Sequence, residues 1–538
     1  MYECPNCAGN LKFDIARQQL YCEYCGTQMD PYSFEKERDA EESKAKSERY
    51  EVTIFACPQC GGELISEDTT AATFCSFCGA STILDSRISR KKRPGCIIPF
   101  TRTKEDCRNA YKKMLRRAVF APKELKDEGQ IEKFRGIYMP YWVYSFERSG
   151  LMSFPGKTTC RSGDYLITDH YELNCQAQED YRGLAYDASA AFSDSLSGAI
   201  APFDMEQRKA FTPSFLSGFY ADTSDIKEHV YQREAEDLVV QDVARILERD
   251  PICRRYNAGA ESSFEWALKP AKQTAELAML PVWFLSYRSG DRVSYAVVNG
   301  QTGKAAADLP VDIKKYLAGS FLLAIPLFLL LNLFLTVTPG KVLLIAVLLA
   351  ALCIFISNIQ MTHILARESG EDDKGIAASR GMLREWNAGR KKRKPLRRTF
   401  SGSIVNAAVI IIVVCQLAAL YSVGGGESLI SMLPILLFVI VFLTVGRRGH
   451  SRDSSGKKPF GGGHFREKWP VLIKPLIGIL FALLILFLRP VSDWFYYIGA
   501  LGCMGMILWA ITDIIRQHNM LTTRRLPQLG RRGGDELE

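Results

Sequence analysis

Histidine is scarce in this sequence, with six residues in a chain of 538. Only His170 and His229 occur before residue 315, and neither has a metal ligand or a nucleophile at a characteristic spacing. The motifs G-x-S-x-G, H-E-x-x-H and G-x-G-x-x-G are also missing. Because these signatures of hydrolases, metalloproteases and dinucleotide-binding enzymes are absent, we expect a protein without catalytic activity.

A nucleotide-binding loop is missing too, although VVNGQTGKA at 297–305 resembles one. The phosphate-binding pattern G-x-x-x-x-G-K-[ST] requires glycine in place of Val298 and serine or threonine in place of Ala305. The preceding RVSYAVV indicates a strand, and Asn-Gly is a frequent turn dipeptide in hairpins. We therefore predict that this stretch turns a β-hairpin.

The N-terminus lacks the features of a secretory signal, because MYECPNC has neither a basic nor an apolar segment. We expect the soluble part to stay where it is synthesised. Charge is nearly absent from the long apolar runs that follow Lys315. The mean hydropathy of −0.04 therefore averages a soluble N-terminal half and a membrane C-terminal half.

Eight of the sixteen cysteines form two quartets of identical spacing. In each quartet fourteen residues separate two Cys-x-x-Cys pairs, and YCEYCGT in the first repeat matches FCSFCGA in the second. Each Cys-x-x-Cys pair forms a tight turn, here called a knuckle, and a glycine that follows it completes the turn. Two knuckles together direct four thiolates to one ion. We predict two structural Zn²⁺ ions, the first bound by Cys4, Cys7, Cys22 and Cys25 and the second by Cys57, Cys60, Cys75 and Cys78.

Iron is the alternative metal, since a rubredoxin-type site uses the same four ligands. A redox Cys-x-x-Cys normally occurs once, without a second pair. Four thiolates close the shell and leave no position for a catalytic water. The remaining eight cysteines are scattered, which fits a reducing compartment better than a disulfide framework.

The fold class predicted is multidomain: two small zinc ribbons, an α+β cytoplasmic domain and an all-α region of six transmembrane helices. The predicted units are a first ribbon at 1–32, a charged helix or spacer at 33–51, a second ribbon at 52–86, a basic linker at 87–95, the α+β domain at 96–315, the six-span region at 316–515 and a basic cytoplasmic tail at 516–538.

Within the α+β domain, Thr103 and Asp106 indicate a capping box, and apolar periodicity predicts a longer helix at about 224–248. MPYWVYSFERSG at 139–150 and LPVWFLSYRSGD at 280–291 share Pro-x-Trp followed by alternating apolar residues. Both stretches predict strands that turn at Ser-Gly, and we expect their aromatic residues to pack in the core.

Six apolar segments predict transmembrane helices at about 317–337, 342–360, 403–423, 429–446, 471–488 and 494–512. Lysine and arginine are concentrated in the long loops at 361–402 and 447–469 and in the tail, so both termini are expected in the cytoplasm. This excess of positive charge lies where it can contact anionic membrane lipid. Lys474 is expected at the end of a span, where it can snorkel.

Nucleic acid is an improbable partner on charge grounds. Residues 51–86 contain five acidic residues and no lysine or arginine, and residues 1–30 have four acidic residues against Lys12 and Arg17. Binding to a phosphate backbone requires the opposite sign of charge. We therefore expect the ribbons to contact a cytoplasmic protein.

Together these parts resemble a bacterial family of zinc-ribbon membrane proteins. The stretches that carry the resemblance are the cysteine knuckles, IIPFTRTKEDC, GIYMPYWVYSF, PSFLSGFYAD and LPVWFLSYRSGDRVSYAVVNGQTGK. The resemblance implies a bacterial inner-membrane location and this order of domains, and it assigns no activity. The leading hypothesis is a non-enzymatic scaffold or adaptor. The alternatives are a transporter or lipid-handling protein with a zinc-ribbon regulatory region, and a membrane-tethered nucleic-acid binder.

Overall fold

The computed structural model describes residues 2–41, 49–66, 75–80, 85–257, 272–334, 338–369, 372–375, 464–488 and 490–525. The spans expected at about 403–423 and 429–446 lie outside these residues.

The described strands form two sheets. The strands are β1 (Leu11–Asp14), β2 (Gln19–Cys22), β3 (Gln28–Met29), β4 (Arg49–Ala56), β5 (Glu63–Ile65), β6 (Asp85–Lys92), β7 (Cys96–Ile97), β8 (Arg135–Ser162), β9 (Tyr165–Asp187), β10 (Lys209–Ala210), β11 (Tyr220–Asp222), β12 (Lys272–Ser289), β13 (Arg292–Asn299), β14 (Ala305–Ala307) and β15 (Arg524–Arg525). Strands β1–β2–β3 form a small sheet in the first ribbon, and the other twelve strands form one large sheet.

Ten α-helices accompany the sheets in the described residues. They are α1 (Pro31–Glu41), α2 (Lys104–Arg117), α3 (Glu128–Ile131), α4 (Asp194–Ile200), α5 (His229–Arg249), α6 (Pro251–Arg255), α7 (Ile313–Phe334), α8 (Pro339–Ser369), α9 (His464–Leu488) and α10 (Asp493–Leu521). The predicted capping box is confirmed at α2, where Thr103 accepts from the backbone N–H of Asp106 and the Asp106 side chain accepts from that of Thr103. The predicted long helix is α5, and it begins five residues later than expected.

Strands β8 and β12 are the centre of the large sheet. They pair antiparallel from Arg135 opposite Phe284 to Glu147 opposite Lys272, so the two Pro-x-Trp stretches lie side by side. Both faces of this pair are buried. Met279, Trp283 and Leu285 belong to one core cluster, whereas Leu280, Val282 and Phe284 belong to another, as expected for side chains that alternate between faces.

The two cysteine sites lie in different clusters, although Val52, Ile54 and Ile65 of the second ribbon reach the first cluster. The first-ribbon residues Leu11 and Leu20 belong to the cluster of Trp283, while the second-ribbon residues Cys57 and Phe77 belong to the cluster of Phe284. The two metal sites are therefore associated with opposite faces of the central sheet. This arrangement was not visible in the sequence, because it depends on strands more than 200 residues away.

The second ribbon is part of the large sheet, which differs from the predicted boundaries. Strand β5 pairs with β4 and with β11, where Ile65 lies opposite Ala221. The segment expected to be a basic linker, 87–95, lies largely in strand β6, which pairs with β4 along its full length. Backbone pairing thus joins the units that the sequence predicts at 52–86, 87–95 and 96–315.

Strands β8 and β9 extend beyond the rest of the sheet as a two-stranded arm. The turn predicted at Ser149-Gly150 is wrong: β8 continues through it, and the hairpin closes where Ser162 pairs with Tyr165. Gly150 has a φ of 148° and stays paired with Ala177. The turn predicted at Ser289-Gly290 is confirmed, since Ser289 pairs with Arg292.

Three helices among the described residues are long and apolar enough to cross a membrane, with spans Ile313–Leu330, Pro339–Glu368 and Asp493–Leu521. Lys474–Leu486 is a shorter apolar helix. The described part of the chain therefore supports three candidate spans rather than the six predicted. Helices α8, α9 and α10 share one apolar core that includes Val347, Ile479 and Cys503.

The segment predicted as a basic tail, 516–538, begins as part of a helix and a strand. Helix α10 continues to Leu521, and Arg524–Arg525 adds to the sheet as β15, next to β13. Asn519 and Val311 exchange two hydrogen bonds, of 2.7 and 2.8 Å, which join α10 to the chain before α7. The sheet-rich domain and the apolar helices are thus connected by several contacts near residues 519–525.

Candidate metal centres

All eight predicted ligands are brought together in two groups of four, and within each group the sulfur atoms lie within 4.8 Å of one another. In the first site Cys4 and Cys25 are separated by 3.5 Å at Sγ, as are Cys7 and Cys22. A metal–sulfur distance of about 2.3 Å in a tetrahedral shell requires sulfur atoms about 3.8 Å apart. The first site therefore has dimensions close to those of a metal-bound shell.

The second site has nearly the same geometry. The Sγ atoms of Cys57 and Cys78 are 3.8 Å apart, and those of Cys60 and Cys75 are 3.7 Å apart. Each distance joins one knuckle to the other, so a shared ion would connect both ends of the ribbon. The residues fit a divalent metal, and four thiolates are the donor set that zinc and iron favour.

All four knuckles are built by the same backbone hydrogen bonds. The carbonyl oxygen of the first cysteine accepts a hydrogen bond from the N–H four residues later. Examples are Ala8 to Cys4 at 2.8 Å and Gly79 to Cys75 at 3.0 Å. The donor residue has positive φ in every case, and it is glycine in three knuckles. In the first knuckle Ala8 takes this conformation at 56°, so the expected glycine is not essential.

The crowded sulfur atoms of the second site have divergent proton affinities. Contact with the Cys60 thiol lowers the pKa of Cys78 to about 2, whereas contact with the Cys57 thiol raises the pKa of Cys75. Protons are thus unequally shared among four sulfurs held near one point. A divalent cation removes this conflict, because all four sulfurs then bind it as thiolates.

The loop VVNGQTGKA turns the predicted hairpin, with Val298 opposite Ala305. Asn299 is fully buried: its Nδ2 donates to the carbonyl oxygens of Ile200 and Pro202 at 3.0 and 3.3 Å, and its Oδ1 accepts from the N–H of Gln301 at 2.8 Å. Lys304 donates to the carbonyl oxygen of Ala201 at 2.6 Å. The polar groups that suggested a phosphate site bind the 200–202 segment instead.

A buried acidic cluster, which the sequence did not predict, lies where residues 372–375 meet the domain. Asp194 accepts from the Tyr231 hydroxyl at 2.6 Å and from the Lys374 N–H at 2.8 Å, and its own N–H donates to Asp373 at 3.2 Å. Asp187 is 3% exposed, and its Oδ2 lacks a hydrogen-bond partner within the described part of the chain. Burial and the neighbouring Asp194 and Asp373 raise the pKa of Asp187 well above its ordinary value.

An ion pair also joins two of the apolar helices. Lys474 on α9 donates to Asp513 on α10, and its Nζ lies 4.2 Å from the centre of the Trp509 ring. Arg516 donates to the other Asp513 oxygen at 3.2 Å. Lys474, which the sequence predicts at the end of a span where it can snorkel, is thus paired with Asp513.

Comparison with known proteins gives one informative match. The chain is similar to the uncharacterised protein YdjG of Bacillus subtilis (strain 168). The two are 28% identical over 327 residues, which cover 59% of this chain and 92% of YdjG. No protein-family model and no solved structure matches the chain.

Proposed function

We propose that this protein is a membrane-anchored zinc-binding adaptor that presents its cytoplasmic domain to a protein partner and catalyses no reaction. The proposed location is the bacterial inner membrane, with six spans and both termini in the cytoplasm. Neither zinc ion is catalytic, because four thiolates occupy every position of each shell. The acidic ribbons support a protein partner over nucleic acid.

The arm formed by β8 and β9 carries this proposal. Pairing of β8 with β12 ends at Glu147, and β8 then continues to Ser162, roughly 50 Å further along an extended strand. This direction leads away from Arg292 at the other end of β12–β13, where the domain contacts the ends of α8 and α10. The tip of the arm is therefore remote from the membrane side of the domain.

Large apolar side chains are exposed at this tip. Tyr165, Leu166 and Ile167 are 78%, 72% and 45% exposed. The base of the arm is covered, since Phe154 packs in one cluster with Val239 of α5, and the N–H of Lys157 donates to the carbonyl oxygen of Tyr256 at 2.6 Å. Exposed apolar groups on a projecting hairpin are a common means of binding another protein. We propose the tip as the partner contact.

Affinity purification with crosslinking from native membranes tests this function. The double variant Tyr165→Ser/Leu166→Ser should lose the partner, while Ile246→Ser, which changes an apolar residue of 60% exposure on α5, should retain it. Cys57→Ser/Cys60→Ser should also lose the partner, because the second ribbon supports the central sheet. Equal partner recovery with the tip variant and with Ile246→Ser would remove the proposed role of the arm.

Transport or lipid handling is the second candidate, and the Lys474–Asp513 pair is the observation that favours it. Ionisable residues in membrane helices often mark a pathway or a binding site. Gln517, one turn beyond Asp513 on α10, is buried, and neither polar atom of its side chain has a hydrogen-bond partner in the residues described. The protein reconstituted in liposomes should then move a labelled phospholipid across the bilayer, and the Lys474→Met variant should not. Absence of movement by the unaltered protein would exclude lipid handling and leave the adaptor.

A further inference from the structure

The two metal sites differ in their access to solvent. In the first site Cys7 and Cys25, the second cysteine of each knuckle, are exposed, whereas their equivalents Cys60 and Cys78 are buried. The neighbouring aromatic residues show the same contrast: Tyr24 is 81% exposed, and its equivalent Phe77 is 1% exposed. One face of the first site is therefore open, and the same face of the second site is closed.

The ribbons themselves do not cause this difference. The second knuckle of each ribbon is closed by the same backbone hydrogen bond. The N–H of Cys22 donates to the carbonyl oxygen of Thr27, and the N–H of Cys75 donates to that of Ala80, both at 2.9 Å. The equivalent glycines adopt similar φ values, 76° at Gly26 and 69° at Gly79. Because the local backbone is the same, the difference in access arises from what packs against each ribbon.

The β12–β13 hairpin covers the second site. A Cβ atom added at Gly79 would lie 3.4 Å from Cβ of Arg288 and 3.5 Å from Oγ of Ser286, whereas one added at Gly26 would meet nothing within 4 Å. The Tyr295 hydroxyl donates to the carbonyl oxygen of Phe77 at 2.8 Å. Arg288 donates to Oε1 of Gln59 at 2.9 Å, beside the first knuckle of the same ribbon.

We propose that the first site exchanges its metal with a thiol- or nitrogen-bearing acceptor, while the second site retains its metal as long as the sheet is folded. An acceptor's donor atom would approach a bound ion from the side of Cys7 and Cys25, because these two cysteines are exposed. Each cysteine thiolate that gives up the ion would take a proton, and an acceptor thiol would lose a proton as it binds, whereas a nitrogen acceptor would bind as the neutral base. Repetition at the remaining ligands would transfer the ion, and the buried Cys4 and Cys22 would be the last to give it up. No electron is transferred in this exchange.

Metal release from the full-length protein in detergent tests the proposal. The zinc-loaded protein is mixed with excess 4-(2-pyridylazo)resorcinol, and the absorbance of the zinc complex is followed with time. We expect two phases of equal amplitude, one zinc ion each, with rates that differ about tenfold or more because the second site must open before a chelator reaches it. Release of both ions at one rate would overturn the proposal.

Matched variants assign the phases. Cys7→Ser/Cys25→Ser should bind one zinc ion and lack the fast phase, and the equivalent Cys60→Ser/Cys78→Ser should lack the slow phase. A fast phase that persists in Cys7→Ser/Cys25→Ser would contradict the assignment. If Cys60→Ser/Cys78→Ser does not fold, Tyr295→Phe serves instead: loss of its bond to Phe77 should accelerate the slow phase and leave the fast phase unchanged, and an unchanged slow phase would count against this cover. These measurements require no partner, so they are independent of the adaptor function.

Discussion

Arg292, the first residue of β13, donates a hydrogen bond from Nε to the hydroxyl of Thr523 at 2.6 Å. The same guanidinium donates to the carbonyl oxygens of Met520 and Thr523 at 2.8 and 2.9 Å, and to Oε1 of Glu368 at 3.0 Å. One side chain thus links the central sheet to the C-terminal ends of both α8 and α10. A planar guanidinium is suited to this role, because its donors point to several acceptors at once.

Arg292→Lys should loosen this link, because one ammonium cannot reach all of these acceptors. We expect a loss of about 2 kcal/mol of unfolding free energy and faster amide hydrogen exchange at 519–525. Thermal unfolding in detergent and hydrogen exchange read by mass spectrometry measure these effects. Arg135→Lys, at an exposed position of β8, is the control. Exchange as slow as in the control would show that Arg292 does not hold the helix ends.

Asp187→Asn should make stability less dependent on pH. The pKa of Asp187 is raised in the folded state by burial and then by Asp194 and Asp373, so folding favours the protonated acid. The protonated carboxyl of Asp187 makes its full contribution to stability at a pH below the pKa that it has in the unfolded protein. This contribution is lost as the pH rises from that value through the pKa that it has in the folded protein. Between these two pKa values the free energy of unfolding falls by about 1.4 kcal/mol for each pH unit. Asparagine cannot ionise, so the variant should avoid this loss.

Unfolding temperatures of the two proteins at pH 5 and pH 8 test this expectation. The difference between the two pH values should be smaller for Asp187→Asn than for the unaltered protein. Asp164→Asn, in the exposed turn between β8 and β9, should leave the difference unchanged. The pH dependence arises elsewhere if both variants behave alike.

Asn299→Ala should destabilise the soluble domain by about 3 kcal/mol, because it leaves buried donors and acceptors without partners. The side chain donates to Ile200 and Pro202 and accepts from the N–H groups of Gln301 and Thr302. Lys304→Met removes only the exposed bond to Ala201 and should cost about 1 kcal/mol or less. Chemical unfolding followed by tryptophan fluorescence compares the two, and the reverse order of effects would contradict this view of the loop.

Lys474→Met should lower the unfolding free energy by about 3 kcal/mol, since it leaves Asp513 buried without the Lys474 ammonium. The double variant Lys474→Met/Asp513→Leu should recover much of this loss, because no buried charge is then left unpaired. Thermal unfolding in detergent measures both proteins. A double variant less stable than Lys474→Met would show that another residue stabilises Asp513 as strongly as Lys474 does. Arg516, which donates to Asp513, would be the first candidate.

Features that depend on neighbouring residues were predicted well from the sequence. The cysteine quartets lie within short repeats, the α2 capping box spans Thr103 to Asp106, and Asn299-Gly300 turns a hairpin as expected. In each case the interacting groups are close in the chain, so residue type and spacing determine the geometry.

Features that depend on distant strands were not predictable in this way. Ser-Gly ends β12 at residue 289 but not β8 at residue 149, because β9 continues the pairing of β8 past that point. The second ribbon joins the sheet through β11, and its metal site is covered by β12 and β13. The acidic cluster unites Asp187 with Asp373, for which no spacing rule exists.

The two-residue strand β15 has a consequence for synthesis. Arg524 and Arg525 pair with Val293 and Arg292, yet all the described apolar helices lie between β13 and β15 in the chain. The ribosome therefore delivers the rest of the sheet first, then the apolar helices, and only afterwards the strand that pairs with the start of β13. This edge of the sheet is therefore completed only after the last described helix has been made. A chain whose synthesis stops among those helices would keep an unpaired sheet edge. Quality-control proteases and chaperones can recognise such an edge.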